Sequence, residues 1–365
     1  MKKKLIIFIP HINIGGVEKN LFLITNHLIK KINNISIITI NKESTKKLNK
    51  KIEIISPKTN RWKNSSMYTK YAISIFLLIK TIFKNQNSLI FSFQANWYAI
   101  IIAKIFRIKI VTRSNTAPQG WSNNFFKRIF YKFILNFADE IIVNSFEFKK
   151  SLKKYFNIQS NCIYNPLNKS KILRLSLKKI KYSFFKTKKH IKIINIGRFT
   201  DQKNQILILK AVNQIKDSVP IRVLIIGTGR NYENLKNFIK KNNLQNYVDL
   251  KKNIDNPFPY LKLADIFLLS SNYEGLPNVL LEAQTFKKMI ISTRCPTGPK
   301  EILLNGKAGV FFKMNDAKDL SKKIIFSYKN QTLLKKMALI GYNNLNRFNE
   351  IKNLNNYLKV ILKFI

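Results

Sequence analysis

Cysteine is scarce in this sequence. Cys162 and Cys295 are the only two cysteines among 365 residues, and they lie far apart without the spacing of a metal-binding motif. This scarcity excludes a disulfide framework and a cysteine-rich zinc site. So low a cysteine count is typical of a reducing compartment, and we expect a cytoplasmic protein.

Long apolar runs are absent as well. The segments YAISIFLLIK and WYAIIIAKIF are interrupted by Lys80 and Lys104, well short of the roughly 20 residues that a membrane-spanning helix needs. The start, MKKKLIIFIPHI, imitates a signal peptide, but its apolar run ends at Pro10, which favours a buried strand. We therefore predict no transmembrane helix.

Acidic residues are the third scarcity. The chain carries 18 Asp plus Glu against 66 Lys plus Arg, a formal net charge of +48. Such a balance suits an anionic membrane surface or, less well, nucleic acid. No motif of a nucleic-acid-binding module occurs, so we expect no nucleic-acid partner. The alternative is that Lys, Asn and Ile abound throughout, which spreads positive charge over every exposed face.

The chain does contain two series of short β-branched runs that alternate with segments of helical periodicity. The first series is KLIIFIP, ISIITI, KIEIIS, SLIFSFQ, KIVTRS and EIIVNS; the second is IKIINIGRF, IRVLIIGTG, YVDLKK, DIFLLSS, MIISTR and AGVFF. Nearly continuous apolar strands between helices predict parallel sheets that are covered on both faces. The predicted fold class is α/β, with two Rossmann-like domains facing each other across a cleft, where ligands of such sheets bind.

The domain boundaries follow from composition. We assign residues 1–168 to the N-terminal domain and residues 191–345 to the C-terminal domain. Residues 169–190 are basic and contain no apolar strand, so we predict an interdomain linker there.

Two glutamates in NYEGLPNVLLEAQ stand out in a chain so poor in acid. Glu274 and Glu282 are eight positions apart, across a turn and the start of a helix at Pro277. Their separation of about 10 Å is too large for a pair of hydrolytic carboxylates. It matches a sugar joined through a diphosphate to a ribose, because carboxylates accept hydrogen bonds from hydroxyl pairs and the helix-start N–H groups around Leu276 to Val279 would face the phosphates. Alternatively, Glu274 caps the helix and Glu282 is a solvated surface residue.

Two further segments suit phosphate. In INIGRFTDQKNQ, Arg198 directly follows a strand and Lys203 begins the next helix; together they offer a planar fork and a mobile point charge to a diphosphate. In HINIGGVEKN, Gly15 and Gly16 let the backbone approach a phosphate closely. An incidental pair of cations and an ordinary turn are the alternatives, and GTG at 227–229 is interpreted only as a turn after a strand.

Taken in order with LADIFLLSSNYEGLPNVLLEAQ and CPTGPKEIL, these motifs resemble the GT-B glycosyltransferases, specifically the retaining group called family 4 or group 1, over nearly the whole chain. The resemblance implies transfer of a hexose or N-acetylhexosamine from a nucleotide-diphosphate sugar, with a UDP-sugar favoured, to a growing surface glycan or lipid-linked acceptor. It implies retention of anomeric configuration and neither a cofactor nor a bound metal, which agrees with the lack of an Asp-x-Asp motif. It also implies that residues 346–365 pack back on the N-terminal domain; weak membrane anchoring is the alternative.

The resemblance assigns roles by position. Arg198 and Lys203 would bind the donor diphosphate, Glu274 the transferred sugar and Glu282 the ribose, and these first three are the expected catalytic residues. Gly15 and Gly16 would close over the phosphates. The remaining donor-binding positions are Gly275, Leu276, Pro277, Asn278 and Val279. The donor pocket would also be lined by Pro299, Lys300 and Glu301. Arg294, in the same segment, stands where relatives often have an acidic residue.

The acceptor side matches the family less well. Where many relatives place a His or an acidic-Arg-Asn cluster, this chain reads VTRSNTAPQGW, so Arg113, Ser114 and Asn115 are the acceptor-side candidates, together with His11. Downstream, helical spacing groups Trp121, Phe125, Ile129, Phe133 and Phe137, with Lys127, Arg128 and Lys132 interleaved. This stripe is either the core face of a helix or a contact with the inner face of an anionic membrane.

Two other function classes stay open at this level. A sugar-nucleotide-binding partner subunit without activity would be expected to lose one of Arg198, Lys203, Glu274 and Glu282, and all four are present. A basic nucleic-acid-binding protein depends on charge alone.

Overall fold

A computed structural model describes residues 3–12, 15–59, 62, 65–115, 125–187 and 189–365, with residues 125–128 described by their backbone only. The chain forms two compact units. Unit 1 comprises Met1–Pro166 and Glu350–Ile365, and unit 2 comprises Leu167–Asn349.

Unit 1 is built on a seven-stranded parallel sheet. Its strands are β1 (Lys4–Phe8), β2 (Ile35–Ile38), β3 (Glu53–Ile55), β4 (Ser88–Ser92), β5 (Lys109–Ser114), β6 (Glu140–Val143) and β7 (Asn161–Cys162), in the order β3-β2-β1-β4-β5-β6-β7. The helices that connect them are α1 (Gly16–Leu28), α2 (Met67–Lys84), α3 (Asn96–Ile105), α4 (Phe125–Leu135) and α5 (Phe146–Phe156). The order reverses at β1 and β4, as in doubly wound nucleotide-binding folds.

Unit 2 has a six-stranded sheet in the order β10-β9-β8-β11-β12-β13, and every pair in it is parallel. The strands are β8 (Ile191–Ile196), β9 (Ile221–Gly227), β10 (Val248–Lys252), β11 (Ile266–Leu269), β12 (Met289–Thr293) and β13 (Val310–Phe312). Its helices are α6 (Lys169–Leu175), α7 (Gln205–Ile215), α8 (Tyr232–Lys241), α9 (Phe258–Leu263), α10 (Asn278–Thr285), α11 (Pro299–Ile302), α12 (Ala317–Lys329) and α13 (Gln331–Asn343). Short 3₁₀ turns at Lys42–Thr45, Ser183–Phe185, Leu304–Gly306 and Asn344–Phe348 complete the two units.

A last helix, α14 (Glu350–Leu362), packs in unit 1. Side chains alternate across the strands of that sheet, so Leu5 and Ile7 face a core that α1 and α14 cover. Ile6 and Phe8 face a second core, covered by α2 to α5. Both faces of the sheet are therefore buried, as the continuous apolar strands predict.

The structure confirms the predicted α/β class with two Rossmann-like domains. The boundaries differ from the expected 168, 190 and 345. Residues 169–190, expected to form a linker, lie in unit 2 and contain α6. Tyr182 donates a hydrogen bond to Asp249 Oδ2 at 2.8 Å and its ring contacts Tyr260 at 5.2 Å between centroids. Aromatic side chains rather than a strand hold this basic segment in place, which is why composition alone suggested a linker.

The apolar stripe around α4 does not face the core where it is described. Ile129, Phe133 and Phe137 are exposed, while Ile134 and Leu135 are buried. The core-face interpretation is therefore wrong for those three residues. Trp121 and the side chains of Phe125, Lys127 and Arg128 lie outside the described residues. Within the described ranges, no helix combines the length and the hydropathy that crossing a membrane requires.

Candidate active site

The candidate site lies where two neighbouring strands of unit 2 end. β8 and β11 pair in parallel, with Ile193 beside Ile266, so their following turns meet at one edge of the sheet. The turns are bonded to each other: Asn272 N donates to Gln202 O at 2.8 Å, and Ser270 Oγ donates to Lys203 O at 2.7 Å. This fixes the segment that carries Lys203 against the segment that carries Glu274.

Lys203 and Glu274 form a buried ion pair. The ammonium Nζ lies 2.5 Å from Glu274 Oε1, and the two side chains are only 16% and 7% exposed. Ser271 Oγ donates to the same carboxylate oxygen at 2.6 Å. Helix α10 begins after Pro277, which offers no side-chain cap. Glu274 is thus held by a cation and a hydroxyl.

Glu282 is also buried. It lies on α10, in the run of buried residues Leu280 to Thr285, and is 5% exposed. The solvated-surface alternative is therefore wrong. Among the described residues, Glu18, Glu274 and Glu282 are the only buried carboxylates. Acidic side chains are almost never buried unless they are paired. Two of these three buried carboxylates lie in one motif, which indicates a functional site there.

Arg198 lies in the turn after β8 that also carries Lys203, but in the open. It is exposed and lines an open cavity of about 380 Å³ together with Arg230 and Tyr273. Arg230 pairs with Asp201, which also accepts a hydrogen bond from Asn231 Nδ2 at 2.7 Å. The hydrogen bond from Asn231 has the largest effect on the pKa of Asp201, followed by that from Arg230, and both hold this pKa below its usual range. The cavity thus presents two guanidinium groups, of which the sequence motifs predict only that of Arg198.

The GTG turn has a packing role that its sequence does not reveal. A Cβ on Gly227 would lie 1.9 Å from Gly197 O, so only glycine lets the turn after β9 press against the turn that carries Arg198. Phe199 N donates to Thr228 O at 2.7 Å. The position of Arg230, directly after GTG, is the signal that could have identified this residue as part of the site.

The segment CPTGPKEIL supports the Glu274 loop from the other side. Thr297 Oγ1 donates to Glu274 O at 2.7 Å. Thr297 and Gly298 both have positive φ, +61° and +64°, and a Cβ on Gly298 would lie 1.9 Å from Gly275 O. Left-handed backbone at a β-branched residue is strained, and such strain clusters at functional sites.

The neighbours of this strained turn are varied. Pro299 is buried at the start of α11, Lys300 is exposed and Glu301 is half-buried. Arg294 is exposed, with its guanidinium 5.4 Å from the centre of the Phe311 ring. Of the positions on the loop that are predicted to bind the donor, Gly275, Leu276 and Pro277 are buried, and Asn278 and Val279 are half-buried at the start of α10.

The other predicted positions lie in unit 1, at the carboxyl ends of its strands. Gly15 precedes α1 in an extended conformation with φ −171°, and Gly16 is the first residue of that helix. A Cβ on Gly15 would lie 2.8 Å from the carboxylate of Glu18. His11 is half-buried, and burial first and Lys70 second lower its pKa. Both effects disfavour the imidazolium form.

Arg113 is fully buried in unit 1. Its Nε donates to Tyr357 Oη at 2.8 Å, one Nη to Asn165 Oδ1 at 2.7 Å and the other to Asn115 Oδ1. Ser114 is buried beside it and Asn115 is half-buried. The structure thus places Arg113 in the core under α14, where it binds protein groups and reaches no open surface. Asn115 is the member of this trio nearest to solvent.

No three His, Cys, Asp or Glu side chains cluster as metal ligands within the described parts of the chain.

The comparisons with known proteins agree on one family. The family model described as "Glycosyl transferases group 1" matches residues 178–344, and the model described as "Glycosyltransferase Family 4" matches residues 14–171. An uncharacterised glycosyltransferase of Methanocaldococcus jannaschii is 34% identical over 219 residues, which are 56% of this chain and 53% of that relative. A second from the same organism is 27% identical, matched over 59% of this chain and 56% of its own length. The chain thus spans about half the length of these two relatives.

A third relative matches along nearly the whole chain. It is the Campylobacter jejuni GalNAc-alpha-(1->4)-GalNAc-alpha-(1->3)-diNAcBac-PP-undecaprenol alpha-1,4-N-acetyl-D-galactosaminyltransferase, 24% identical over 92% of this chain and 91% of its own length.

Solved structures share the fold. HepE from Anabaena in complex with UDP superposes with a TM-score of 0.77 at 14% identity, over 99% of this chain and 100% of HepE. Sucrose-phosphate synthase from Thermosynechococcus elongatus gives a TM-score of 0.80 at 14% identity, over 99% of each chain. At such identities the likeness shows the fold alone, which is GT-B. The chain belongs to the group 1 glycosyltransferases of the GT-B fold.

Proposed function

We propose that this protein transfers a hexose or N-acetylhexosamine from a nucleotide-diphosphate sugar, a UDP-sugar in the favoured case, to a growing surface glycan or lipid-linked glycan. In that reaction the bond between the anomeric carbon and the phosphate oxygen breaks, and a bond from the same carbon to an acceptor hydroxyl oxygen forms. The acceptor proton passes to the departing phosphate oxygen, and the nucleoside diphosphate leaves.

The buried pair of Lys203 and Glu274 beside the Arg198 cavity carries this proposal. A lysine and a glutamate in contact at adjacent strand ends offer a cation to phosphate and an acceptor to sugar hydroxyls within one side-chain length. Ligands of open parallel sheets bind at this edge of the sheet. A structural ion pair would need neither an exposed arginine nor an open cavity beside it.

Each side chain has a separate task in the proposed reaction. Arg198 and Lys203 bind the diphosphate and stabilise the negative charge that develops on it as the anomeric bond breaks. Glu274 accepts hydrogen bonds from the transferred sugar, while Glu282 on α10 accepts them from the ribose. Because two cations already meet the leaving group, the reaction needs no metal ion and no cofactor.

Retention of configuration follows from attack on the same face. When the departing phosphate oxygen accepts the acceptor proton, both the incoming and the leaving oxygen lie on one side of the sugar ring. This places the acceptor hydroxyl beside the phosphate and requires no separate carboxylate base.

Two comparisons support the choice of substrates. The name of the Campylobacter relative specifies an undecaprenol-linked glycan acceptor and N-acetylgalactosamine transfer. HepE, which shares the fold, is known in complex with UDP and with UDP-glucose. We accordingly place this protein in the cytoplasm, at the inner face of the cell membrane, where it would meet a lipid-linked acceptor.

The test is donor hydrolysis by purified protein with a panel of nucleotide sugars in the presence of EDTA. We expect slow nucleotide release from one donor, lost in Lys203→Ala and in Glu274→Ala. The matched control is Lys109→Ala, which breaks an ion pair of similar length, 2.8 Å to Asp139 Oδ1, in unit 1; this variant should release nucleotide normally.

Other results have definite meanings. Release that survives both site variants would contradict the assignment of the site, and release abolished by EDTA alone would contradict metal independence. If no donor is hydrolysed, UDP and sugar-nucleotide binding by calorimetry decides: absence of binding refutes the proposed donor site. Binding without turnover, even after lipid-linked acceptor is added, identifies an inactive partner subunit.

A further inference from the structure

Helices α2, α3 and α4 of unit 1 carry an unusual number of exposed aromatic and aliphatic side chains. Phe76 and Phe83 on α2 are 64% and 66% exposed, Ile105 on α3 is 66% exposed, and Phe133 on α4 is 61% exposed. Large apolar residues normally appear singly at a surface, and contiguous groups of them mark interaction sites.

These residues form one surface because the three helices are neighbours. Phe83 contacts Phe106, just after α3, with 5.2 Å between ring centroids. Trp97 at the start of α3 contacts Phe130 of α4 at 5.7 Å. Phe133 contacts Phe137 at 4.9 Å.

The opposite faces of the same helices already cover the sheet. Leu78, Ile100 and Ile134 are buried in the core that they share with Phe8. The helices are therefore apolar on two sides, and the outward side cannot be explained by packing within unit 1.

The charge on this surface has one sign. The sequence contains no Asp or Glu between Glu53 and Asp139, so all three helices lack acidic residues. Lys80, Lys84 and Lys132 are exposed among the apolar side chains, while Lys104 lies 3.7 Å from Asp139 Oδ2 in an ion pair. The surface combines flexible cations with aromatic rings, and this composition differs from that of a neutral protein interface, whose centre is depleted of lysine.

The geometry points to an anionic lipid bilayer as the partner of this aromatic-basic surface, defined as Phe76, Lys80, Phe83, Lys84, Ile105, Ile129, Lys132, Phe133 and Phe137. Helices that lie on membranes bury aromatic and aliphatic side chains at the headgroup boundary, while long lysine side chains reach the headgroup phosphates. Nucleic acid would use the cations but would leave most of these rings in water, since stacked bases in a duplex offer no apolar layer. The inference deepens the proposed function and rests on it in one respect: a lipid-linked acceptor would be held at the same bilayer.

Vesicle sedimentation with the full chain tests this directly. We expect binding to phosphatidylcholine vesicles that contain phosphatidylglycerol at about 0.15 M salt, much weaker binding to pure phosphatidylcholine, and a decrease as salt rises. Lys80→Gln with Lys84→Gln should weaken binding about 25-fold, since each lysine near an anionic surface contributes a factor of about 5. Phe76→Ala with Phe133→Ala should weaken it at least about tenfold.

A matched control lies in unit 2. Helix α13 also exposes two lysines, Lys335 and Lys336, and three large apolar residues, Leu333, Leu339 and Ile340. Lys335→Gln with Lys336→Gln removes the same charge from the molecule, and Leu333→Ala with Leu339→Ala removes exposed apolar area. Both control pairs should bind vesicles like the unchanged chain.

The outcomes separate the two proposals. Equal loss in the α2 and α13 lysine pairs would show that net charge alone drives binding and would overturn the assignment of the surface. Failure to bind anionic vesicles would overturn the assignment as well. So would self-association of the chain, detected by size-exclusion chromatography and abolished by Phe76→Ala with Phe133→Ala, because a second copy would then be the partner of this surface. Donor hydrolysis needs no membrane, so the surface variants should keep this activity. If the unchanged chain hydrolyses no donor, that result counts against the proposed function but does not affect the conclusion from vesicle binding.

Discussion

Replacing Lys203 by Met should separate the structural from the functional role of the buried ion pair. The ammonium lies 2.5 Å from Glu274 Oε1, and Ser271 Oγ is the other described donor to that oxygen. The change leaves a carboxylate that is 7% exposed with a hydroxyl donor but no cation. Breaking a buried pair in this way costs about 3–5 kcal/mol.

Glu274→Gln should cost less, about 1–2 kcal/mol, because the amide keeps an oxygen for Ser271 and the lysine chain can turn towards water. The variant that carries both Lys203→Met and Glu274→Gln should lose less free energy of unfolding than the two single variants lose in sum. We expect a coupling free energy of about 2 kcal/mol, within the range measured for contacting residues. Donor hydrolysis should be lost in all three variants, whatever their stability.

Amide hydrogen exchange followed by mass spectrometry is the suitable assay, since it reports on each unit of the chain separately. Peptides that cover β8, β11 and α10 should lose about 100-fold or more of their protection in Lys203→Met. Peptides from β1 and β4 of unit 1 serve as the internal control and should not change. Unchanged protection across unit 2, or donor hydrolysis that survives in Lys203→Met, would refute the reasoning.

Three further predictions concern other positions. Tyr357→Phe removes the oxygen that accepts a hydrogen bond from Arg113 Nε and should lower the free energy of unfolding of unit 1 by about 1–3 kcal/mol. Urea titration followed by tryptophan fluorescence measures this change, because Trp62, Trp97 and Trp121 all belong to unit 1. Gly298→Ala places a Cβ at positive φ against Gly275 O and should destabilise unit 2 by more than about 1 kcal/mol and weaken UDP binding in calorimetry. Burial lowers the pKa of Lys288 to about 8, so between about pH 8 and 10.5 the unfolded chain binds more protons than the folded chain. The free energy of unfolding should therefore rise with pH by about 3 kcal/mol in total. Lys288→Met should lack this rise when unfolding is followed by circular dichroism at a series of pH values.

Each of these three changes has a control. Tyr155→Phe alters an exposed tyrosine and should leave stability unchanged. Gly197→Ala places a Cβ at ordinary contact distance, 3.5 Å from its nearest neighbour, and should be tolerated. Lys287→Met changes an exposed lysine and should keep the alkaline rise. A rise in stability between pH 8 and 10.5 that Lys288→Met retains would contradict the assignment to Lys288.

The strands and the two-domain architecture could be predicted because they depend on local patterns. All twelve apolar runs assigned as strands coincide with strands β1 to β6 and β8 to β13. The missed strand, β7, has two residues and no run long enough to show a pattern. The meeting of Lys203 with Glu274 follows from the same logic, because parallel strands bring the turns after them to one edge.

What the sequence did not reveal depends on contacts between distant segments. Arg113 was predicted as an acceptor-side residue, but Tyr357, which lies 244 positions further along the chain, receives its hydrogen bond in the core. Thr297 reaches back to Glu274, and Gly227 packs on Gly197; neither contact leaves a periodic signal in the sequence. Local patterns likewise could not show that α4 turns Phe133 outward, since the helix is apolar on two faces.

The return of α14 to unit 1 has a consequence for how the chain folds during synthesis. Residues 350–365 belong to unit 1, yet they leave the ribosome after the whole of unit 2. Until then, the guanidinium of Arg113 lacks Tyr357 as a partner, and Leu5, Ile7 and Phe91 lack part of the apolar layer that α14 supplies. Unit 2 is continuous in sequence and can complete its core first. The first unit to be translated is therefore the last to reach its native state, and for that interval it presents an open apolar face on which chaperones and proteases can act.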